Sequence, residues 1–300
     1  MNEPTEIPKK SRGQKVFALL PTLLTLGNAV CGFGAITILA RVGPLAASTA
    51  YDPAEQMQLA AQLIFLAMLF DALDGSAARL TNQTSEFGAM LDSLCDVVSF
   101  GVAPAFMMLK LTDPRHRLME MLDELPFTYR IDLLFAIAAL YLACAILRLA
   151  RFNVETDEED DHGGFSGLPS PAAAAVIASF PIGVMSLNAE LEKLGADETS
   201  WAEPVSEVLL PALVILLPII TLATAVLMVS RIPYPHVFNQ MLKGSKGRKQ
   251  LLQLVFTAGL IYSLGGMTVP VIFCWFAFAG PIQALWKRYR LKYFSKPAEG

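Results

Sequence analysis

The sequence predicts an all-α polytopic membrane protein, a bundle of about eight transmembrane helices. Hydrophobic residues make up 54% of the 300 residues and charged residues only 17%, and the mean hydropathy is +0.48. A soluble protein of this size needs more polar residues to cover its surface. Apolar runs of about 20 residues, long enough to cross the hydrocarbon of a bilayer, recur along the chain.

Eight apolar stretches supply the expected spans, a six-helix core followed by two C-terminal spans. The last two are short and are separated by a turn that contains two glycines, so a count of six spans is the alternative. We expect three regions: a cytoplasmic segment at 1–15, the membrane core at 16–230, and the C-terminal spans with a basic tail at 231–300. The expected spans are 16–40, 57–79, 86–110, 131–150, 170–188, 207–230, 250–266 and 268–286.

Positive charge predicts the orientation. Lysines and arginines cluster before the first span and in the tail KRYRLKYF, which places both termini in the cytoplasm by the positive-inside rule. The connection 111–130 should then face outward, although it carries three arginines among four acidic residues.

The four cysteines lie singly in apolar runs, which favours packing over disulfides or zinc. Nothing in the composition favours nucleic-acid binding.

The most informative stretch runs from residue 70 to residue 100, FDALDGSAARLTNQTSEFGAMLDSLCDVVSF. It places Asp71, Asp74, Asp92 and Asp96 inside segments that are otherwise apolar enough to span a membrane. A charged side chain in hydrocarbon costs about 2.5–3.5 kcal/mol on insertion scales. Four carboxylates in such a place require either a cation or an aqueous cleft.

Helical spacing predicts that these carboxylates converge. Asp71 and Asp74 are three apart on one helix, Asp92 and Asp96 are four apart on the next, and the short link TNQTSE makes the two helices antiparallel neighbours. Carboxylates without His or Cys select a hard cation such as Mg²⁺, Mn²⁺ or Ca²⁺. Because Mg²⁺ is commonly bound together with substrate phosphates, we expect the substrate to be a phosphate ester.

Small residues and one arginine accompany the acids. Gly75, Ala78 and Gly88 either let membrane helices pack closely or leave space for a flat nucleotide. Arg79 either extends to the membrane interface or contacts phosphate.

The spacing of these residues resembles the signature of the CDP-alcohol phosphotransferases, membrane enzymes that displace CMP from a CDP-linked lipid or alcohol. All eight signature positions match without a change in spacing: Asp71, Asp74, Gly75, Ala78, Arg79, Gly88, Asp92 and Asp96. Three flanking stretches are similar to the bacterial and archaeal integral-membrane phosphatidylserine synthases. They are DSLCDVVSFGVAPA from residue 92, RLARFN at 148–153 and GFSGLPSPAAAA at 164–175.

The resemblance implies a reaction and its metal. The hydroxyl of L-serine would attack the β-phosphate of CDP-diacylglycerol to give phosphatidylserine and CMP. Asp71, Asp74 and Asp92 would hold one or two divalent cations, Mg²⁺ or Mn²⁺, against the diphosphate. Asp96 would contribute to coordination and is also the expected proton acceptor.

The resemblance also implies residues that bind the CDP-lipid. Asn28, in the first span, lies where the family has a polar residue near the nucleotide, although a lone Asn in a membrane helix also serves as an interhelical hydrogen-bonding residue. Ser85 lies where a hydroxyl residue meets phosphate. The full expected set is Asn28, Gly75, Ala78, Arg79, Ser85 and Gly88.

Two arginines end the fourth span. Arg148 and Arg151 either anchor that end in the cytoplasm or bind a substrate anion, which would be the lipid phosphate or the serine carboxylate. A zwitterionic nucleophile needs a cationic partner in a site full of acids. The stretch GLPSP at 167–171 is expected to form the turn that begins the fifth span.

Several alternatives stay open at this point. The acceptor could be glycerol phosphate, inositol phosphate or a choline-type alcohol, and the donor could be an archaeal ether lipid. A divalent-cation transporter also places carboxylates in membrane helices, and a structural membrane protein with an idle metal site is the third class. The resemblance further implies a homodimer among membrane lipids, in a bacterial inner membrane.

Overall fold

The computed structural model describes residues 12–42, 52–80, 85–113, 130–157, 167–195, 202–232 and 266–294. Helices account for nearly all of these residues, and none of them forms a strand. The helices are α1 (Arg12–Arg41), α2 (Pro53–Leu80), α3 (Glu86–Asp96), α4 (Ala103–Thr112), α5 (Ile131–Asp157), α6 (Ser170–Gly195), α7 (Ala202–Val229) and α8 (Thr268–Phe294). A π-helical segment at Val97–Val102 joins α3 to α4.

Six stretches are long and apolar enough to cross a membrane, which confirms an integral multi-pass membrane protein. They are Leu20–Arg41, Pro53–Ala77, Glu86–Thr112, Ile131–Val154, Ser170–Glu190 and Pro211–Val229. They coincide with the first six expected spans to within a few residues. The seventh expected span, 250–266, lies almost wholly outside the described residues, and the eighth corresponds to the shorter apolar helix Thr268–Gln283. A total of eight spans therefore stays a prediction.

The first three spans alternate in direction along the chain. A side chain at Gly27 would meet Phe70, whereas one at Gly34 would meet Leu63, so α1 and α2 pass each other in opposite directions. The third span, from α3 to α4, lies parallel to α1, because Lys110 near its end donates to the carbonyl of Val42 just beyond α1 (2.7 Å). One end of the bundle therefore carries the end of α2 and the start of α3. The end of α5 lies there too, because Asn153 of α5 accepts a hydrogen bond from Ser93 of α3.

The third span changes its helical pitch directly after Asp96. The π-helical turns leave the carbonyl of Phe100 to accept a hydrogen bond from the hydroxyl of Tyr141 (3.0 Å), a fully buried residue of α5. On the opposite side, a Cβ at Gly32 of α1 would lie 2.7 Å from the Cα of Ser99. Single π-helical turns are rare and occur frequently at functional sites.

A strap of two residues connects the start of α6 to the end of α7. The N–H of Gly167 donates to the carbonyl of Ile232 (2.9 Å), and the N–H of Leu168 donates to the carbonyl of Leu227 (3.0 Å). Gly167 has φ 94°, and a Cβ there would collide with the carbonyl oxygen of Met228. Only glycine fits this position without strain.

We expect Gly167→Ala to destabilise the bundle by about 1–3 kcal/mol, because alanine is strained at positive φ and meets backbone that cannot yield. The thermal unfolding midpoint in detergent should fall by several degrees. Gly27→Ala is the matched control, since its Cβ would meet only the ring of Phe70 at an ordinary 3.5 Å. Equal unfolding midpoints for the two variants would contradict the requirement for glycine at position 167.

Candidate active site

Three carboxylates meet at one end of the bundle. Carboxylate oxygens of Asp71 and Asp74 on α2 and of Asp92 on α3 all lie within 4.8 Å of one another. The helical repeat explains this, because residues three apart share a face of α2 and that face lies against α3. Asp74 is buried, and the other two are half-buried.

Polar atoms without a protein partner concentrate at the same place. Among the described residues, four buried side-chain atoms make no hydrogen bond: Asn28 Oδ1, Asp74 Oδ2, Asp92 Oδ1 and Arg148 Nε. Buried polar groups in native proteins are almost always satisfied, and exceptions call for an explanation. Here the two carboxylate oxygens belong to the acidic cluster itself.

The cluster fits a divalent cation. Two oxygens bound to one Mg²⁺, Mn²⁺ or Ca²⁺ at about 2.0–2.6 Å are at most about 4–5 Å apart, which is the spacing that the three aspartates have. The donors are oxygens only, the set that hard cations prefer. Asp71, Asp74 and Asp92 could therefore hold a metal ion, and its positive charge would offset their mutual repulsion.

Asp96 lies beside the cluster but is not a member of it. It is 6% exposed and interacts electrostatically with Asp71 and Asp92. Its Oδ1 accepts a hydrogen bond from Nδ2 of Asn28 (2.9 Å). Four residues advance a helix by about 6 Å, so Asp96 lies one turn deeper in the membrane than Asp92. The sequence predicted that four carboxylates converge, whereas the structure brings three together and gives the fourth a partner on α1.

Arg148 extends from α5 toward the acids. Its Nη1 donates to the hydroxyl of Ser170 at the first residue of α6 (3.1 Å). It also interacts electrostatically with Asp96 and Asp71. Arg151 follows three residues later on α5 and is half-buried. The structure thus places Arg148 within electrostatic range of two of the acids, with a side chain held by a buried serine.

The remaining expected residues belong to the last turns of α2 and to the start of α3. A Cβ at Gly75 would have no described heavy atom within 4 Å, so helix packing in the described part of the chain does not require glycine there. Ser85 caps α3, with its hydroxyl accepting from the N–H of Gly88 (3.1 Å). Ala78 and Arg79 belong to α2, but their side chains lie outside the part that the structure describes.

Sequence analysis missed several polar residues that support the site. Ser170 holds Arg148, Thr25 is buried beside Asp74, and Ser99 donates to the carbonyl of Asn28 (2.9 Å). Ser93 donates to Asn153 across α3 and α5 (3.0 Å). The available signal was weak, because single hydroxyl residues in apolar spans also bond to their own helix.

Comparison with known families agrees with this geometry. The family described as CDP-alcohol phosphatidyltransferase matches residues 18–232. That range contains α2, α3 and every described residue of the site.

Curated relatives include serine-dependent transferases of bacteria and archaea. The chain is 37% identical over 127 residues to a CDP-diacylglycerol–serine O-phosphatidyltransferase of Helicobacter pylori, covering 42% of this chain and 47% of that one. It is 36% identical over 225 residues to an archaetidylserine synthase of Methanothermobacter thermautotrophicus, covering 74% and 71%. It is 34% identical over 163 residues to a Bacillus subtilis protein named as the first, covering 54% and 75%. The match thus spans about half of the first relative's length.

The cluster gives a prediction for metal binding. Asp71→Asn, Asp74→Asn and Asp92→Asn should each weaken Mn²⁺ binding about tenfold or more, because each removes one charged ligand of the ion. Binding is measured on the purified protein by electron paramagnetic resonance of free Mn²⁺. Asp132→Asn is the control, since Asp132 is exposed and pairs with Arg130 (3.3 Å) away from the cluster. Equal losses in all four variants would contradict a site at these three aspartates.

Proposed function

This chain belongs to the CDP-alcohol phosphatidyltransferase family, and from that premise we propose that it transfers the phosphatidyl group of CDP-diacylglycerol to L-serine. The products are phosphatidylserine, an intermediate of phospholipid biosynthesis, and CMP, the leaving group. The observation that carries the proposal is the meeting of three carboxylates with Asp96 and Arg148 at one end of the bundle. A diphosphate donor, a hydroxyl nucleophile and a carboxylate-bearing acceptor each find a group of suitable chemistry there.

In this proposal, Asp71, Asp74 and Asp92 hold one or two ions of Mg²⁺ or Mn²⁺. The bound metal supplies Lewis-acid charge that offsets the negative charge on the diphosphate and on the leaving CMP. Asp74 and Asp92 each keep a buried oxygen that no described residue hydrogen-bonds, which suits a ligand role. Carboxylates from two helices also fix the depth of the diphosphate in the membrane.

The CDP portion would lie against the mouth of the site. Gly75 has open space where a side chain would be, which favours a ligand role over a packing role for that glycine. The proposal keeps Ala78, Arg79 and Gly88 as further contacts of the CDP-lipid. Ser85 can still donate its proton to phosphate while its oxygen caps α3.

Asp96 would accept the proton of the serine hydroxyl. The hydroxyl oxygen bonds to the phosphorus that carries the lipid, the bond from that phosphorus to the oxygen of CMP breaks, and CMP leaves with the bonding pair. The carboxylate receives the proton that the nucleophile loses. Although the sequence also favoured Asp96 as a metal ligand, its separation from the three-carboxylate cluster supports the proton acceptor role more strongly.

Arg148 would bind the carboxylate of serine. The guanidinium lies within electrostatic range of Asp96, so a carboxylate held by it would bring the attached hydroxyl toward the proton acceptor. Its Nε has no partner among the described residues and can donate to the substrate. Arg151 is retained as a second anion-binding residue, directed to the lipid phosphate.

The names of the relatives favour serine as the acceptor and leave two donor lipids. The Helicobacter pylori and Bacillus subtilis relatives are named for CDP-diacylglycerol, whereas the Methanothermobacter relative is named archaetidylserine synthase. The second candidate function is therefore the same transfer from an archaeal ether-lipid donor. Glycerol phosphate and inositol phosphate are the acceptors that the assay must exclude.

Location and assembly belong to the same proposal. A multi-pass protein of a bacterial inner membrane, with both termini cytoplasmic, would open the site toward the soluble substrates serine and CMP. We also retain the homodimer and the division into a core at 16–230 and a C-terminal region at 231–300 as proposals.

The decisive experiment supplies purified protein with a CDP-lipid, Mg²⁺ or Mn²⁺, and one alcohol at a time. We expect CMP release with L-serine and none above background with glycerol phosphate or inositol phosphate. CDP-diacylglycerol and its ether-lipid analogue are compared in parallel to identify the donor. Release of CMP with every alcohol except serine would overturn the acceptor, and no release with any would overturn the transferase and leave the cation transporter.

The role of Arg148 gives a separate kinetic prediction. Arg148→Ala should raise the KM for serine about 10- to 100-fold, because it removes a charged hydrogen bond to the substrate carboxylate. The KM for CDP-diacylglycerol should change less than threefold in the same variant. Arg151→Ala is the matched comparison and should leave the KM for serine unchanged. Unchanged KM values for both substrates in Arg148→Ala would discard this assignment.

A further inference from the structure

Asn28, in the first span, forms a hydrogen bond to Asp96 of the site. It is fully buried, and its Nδ2 donates to Oδ1 of Asp96 (2.9 Å). This bond joins residues 68 positions apart in the chain. The amide therefore occupies one oxygen of Asp96 and leaves Oδ2 for the substrate.

The backbone of Asn28 is held as firmly as its side chain. Its carbonyl accepts a hydrogen bond from the hydroxyl of Ser99 (2.9 Å), which is fully buried in the π-helical segment. Asn28 and the stretch from Asp96 to Ser99 thus form a closed loop of two hydrogen bonds between the first and third spans. Donation from α1 to Asp96 and donation back from Ser99 fix the rotation of both helices.

Close helix contact and a second buried bond support this loop. Gly32, one turn after Asn28, lets the backbone of Ser99 approach α1 so closely that a Cβ would stand 2.7 Å from the Cα of Ser99. Tyr141 bonds to the carbonyl of Phe100 on the other side of the π-helical segment (3.0 Å). The turn that follows Asp96 is therefore held from two directions.

We propose that Asn28 is a positioning residue for Asp96: through the Asn28–Asp96 and Ser99–Asn28 hydrogen bonds it fixes the carboxylate so that Oδ2 faces the serine hydroxyl. This inference rests on the proposed function and replaces a direct contact between Asn28 and the nucleotide. It also accounts for the separation of Asp96 from the three-carboxylate cluster, since the amide competes with a metal ion for Oδ1.

The test compares Asn28→Leu, which has similar volume and no amide, with the wild-type protein. We expect kcat to fall about 10- to 100-fold, the range for a lost buried hydrogen bond to a charged group. The KM values for both substrates, the affinity for Mn²⁺ and the affinity for CDP as a probe should all stay within threefold. Thr221→Val is the control, because it removes a fully buried hydroxyl whose described hydrogen bond lies within its own helix, to the carbonyl of Leu217 (2.8 Å).

A double-mutant cycle tests the route through Ser99. Ser99→Ala should lower kcat about three- to tenfold, and the double variant with Asn28→Leu should be no slower than Asn28→Leu alone, because both act on Asp96 through one path. Additive losses of kcat in the double variant would contradict the proposal that Asn28 and Ser99 act on Asp96 through one path. If Asn28→Leu folds poorly, the single variant Ser99→Ala still tests the proposal, since it removes only one hydroxyl: a wild-type kcat in Ser99→Ala would contradict the route through Ser99.

The close approach at Gly32 supplies a further arm with its own control. Gly32→Ala should separate the two helices and reduce kcat in the same way as Asn28→Leu, with Mn²⁺ binding retained. Gly34→Ala, two residues on, should have no effect, because its Cβ would meet only the tip of Leu63 at 3.3 Å.

Two results would overturn the inference while the proposed function stands. One is a wild-type kcat in Asn28→Leu, and the other is a raised KM for CDP-diacylglycerol with loss of CDP affinity, which would make Asn28 a nucleotide contact. A wild-type protein that releases no CMP with serine would instead overturn the proposed function.

Discussion

The structure depends on one electrostatic constraint, the presence of several carboxylates within membrane-spanning helices. Asp71, Asp74 and Asp92 lie within 4.8 Å of one another in helices that are otherwise apolar. Like charges at such distances repel strongly when water is scarce, so the arrangement fits a compensating cation. The packing of α1, α2 and α3 can be understood as the frame that keeps these groups together.

The two halves of the bundle differ in the residues that they bury. The half away from the site is packed with small and aliphatic side chains such as Ala35, Ala60, Ala61 and Ile64, which let helices approach closely. The half that carries the site contains the buried polar residues Asn28, Asp74, Asp96 and Ser170. A rigid apolar half holds the polar half in place, because loosely packed helices would let the carboxylates move apart.

The positions of Arg148, the cationic part of the site, and of Asp96, in its anionic part, depend on backbone contacts as well as on side-chain contacts. Gly167 and Leu168 precede α6 and hydrogen-bond to the end of α7. Helix α6 then begins at Ser170, which accepts a hydrogen bond from Arg148. The position of the arginine relative to Asp96 therefore depends on a turn that does not itself contact the acids. On the other side, the π-helical segment performs a similar task for Asp96.

The sequence alone determined the membrane class, the first six spans and the acidic signature, because hydropathy and fixed spacing are local properties of the chain. It could not show that Asp96 lies outside the cluster of the other three aspartates or that Arg148 bonds to Ser170, since both depend on which helix lies opposite. The bonds from Asn28 to Asp96 and from Ser99 to Asn28 join residues about 70 positions apart, so only the tertiary structure reveals them. The interruption of α-helical pitch after Asp96 was not predicted either, and it coincides with two long-range contacts, the close approach of α1 at Gly32 and the buried bond of Tyr141.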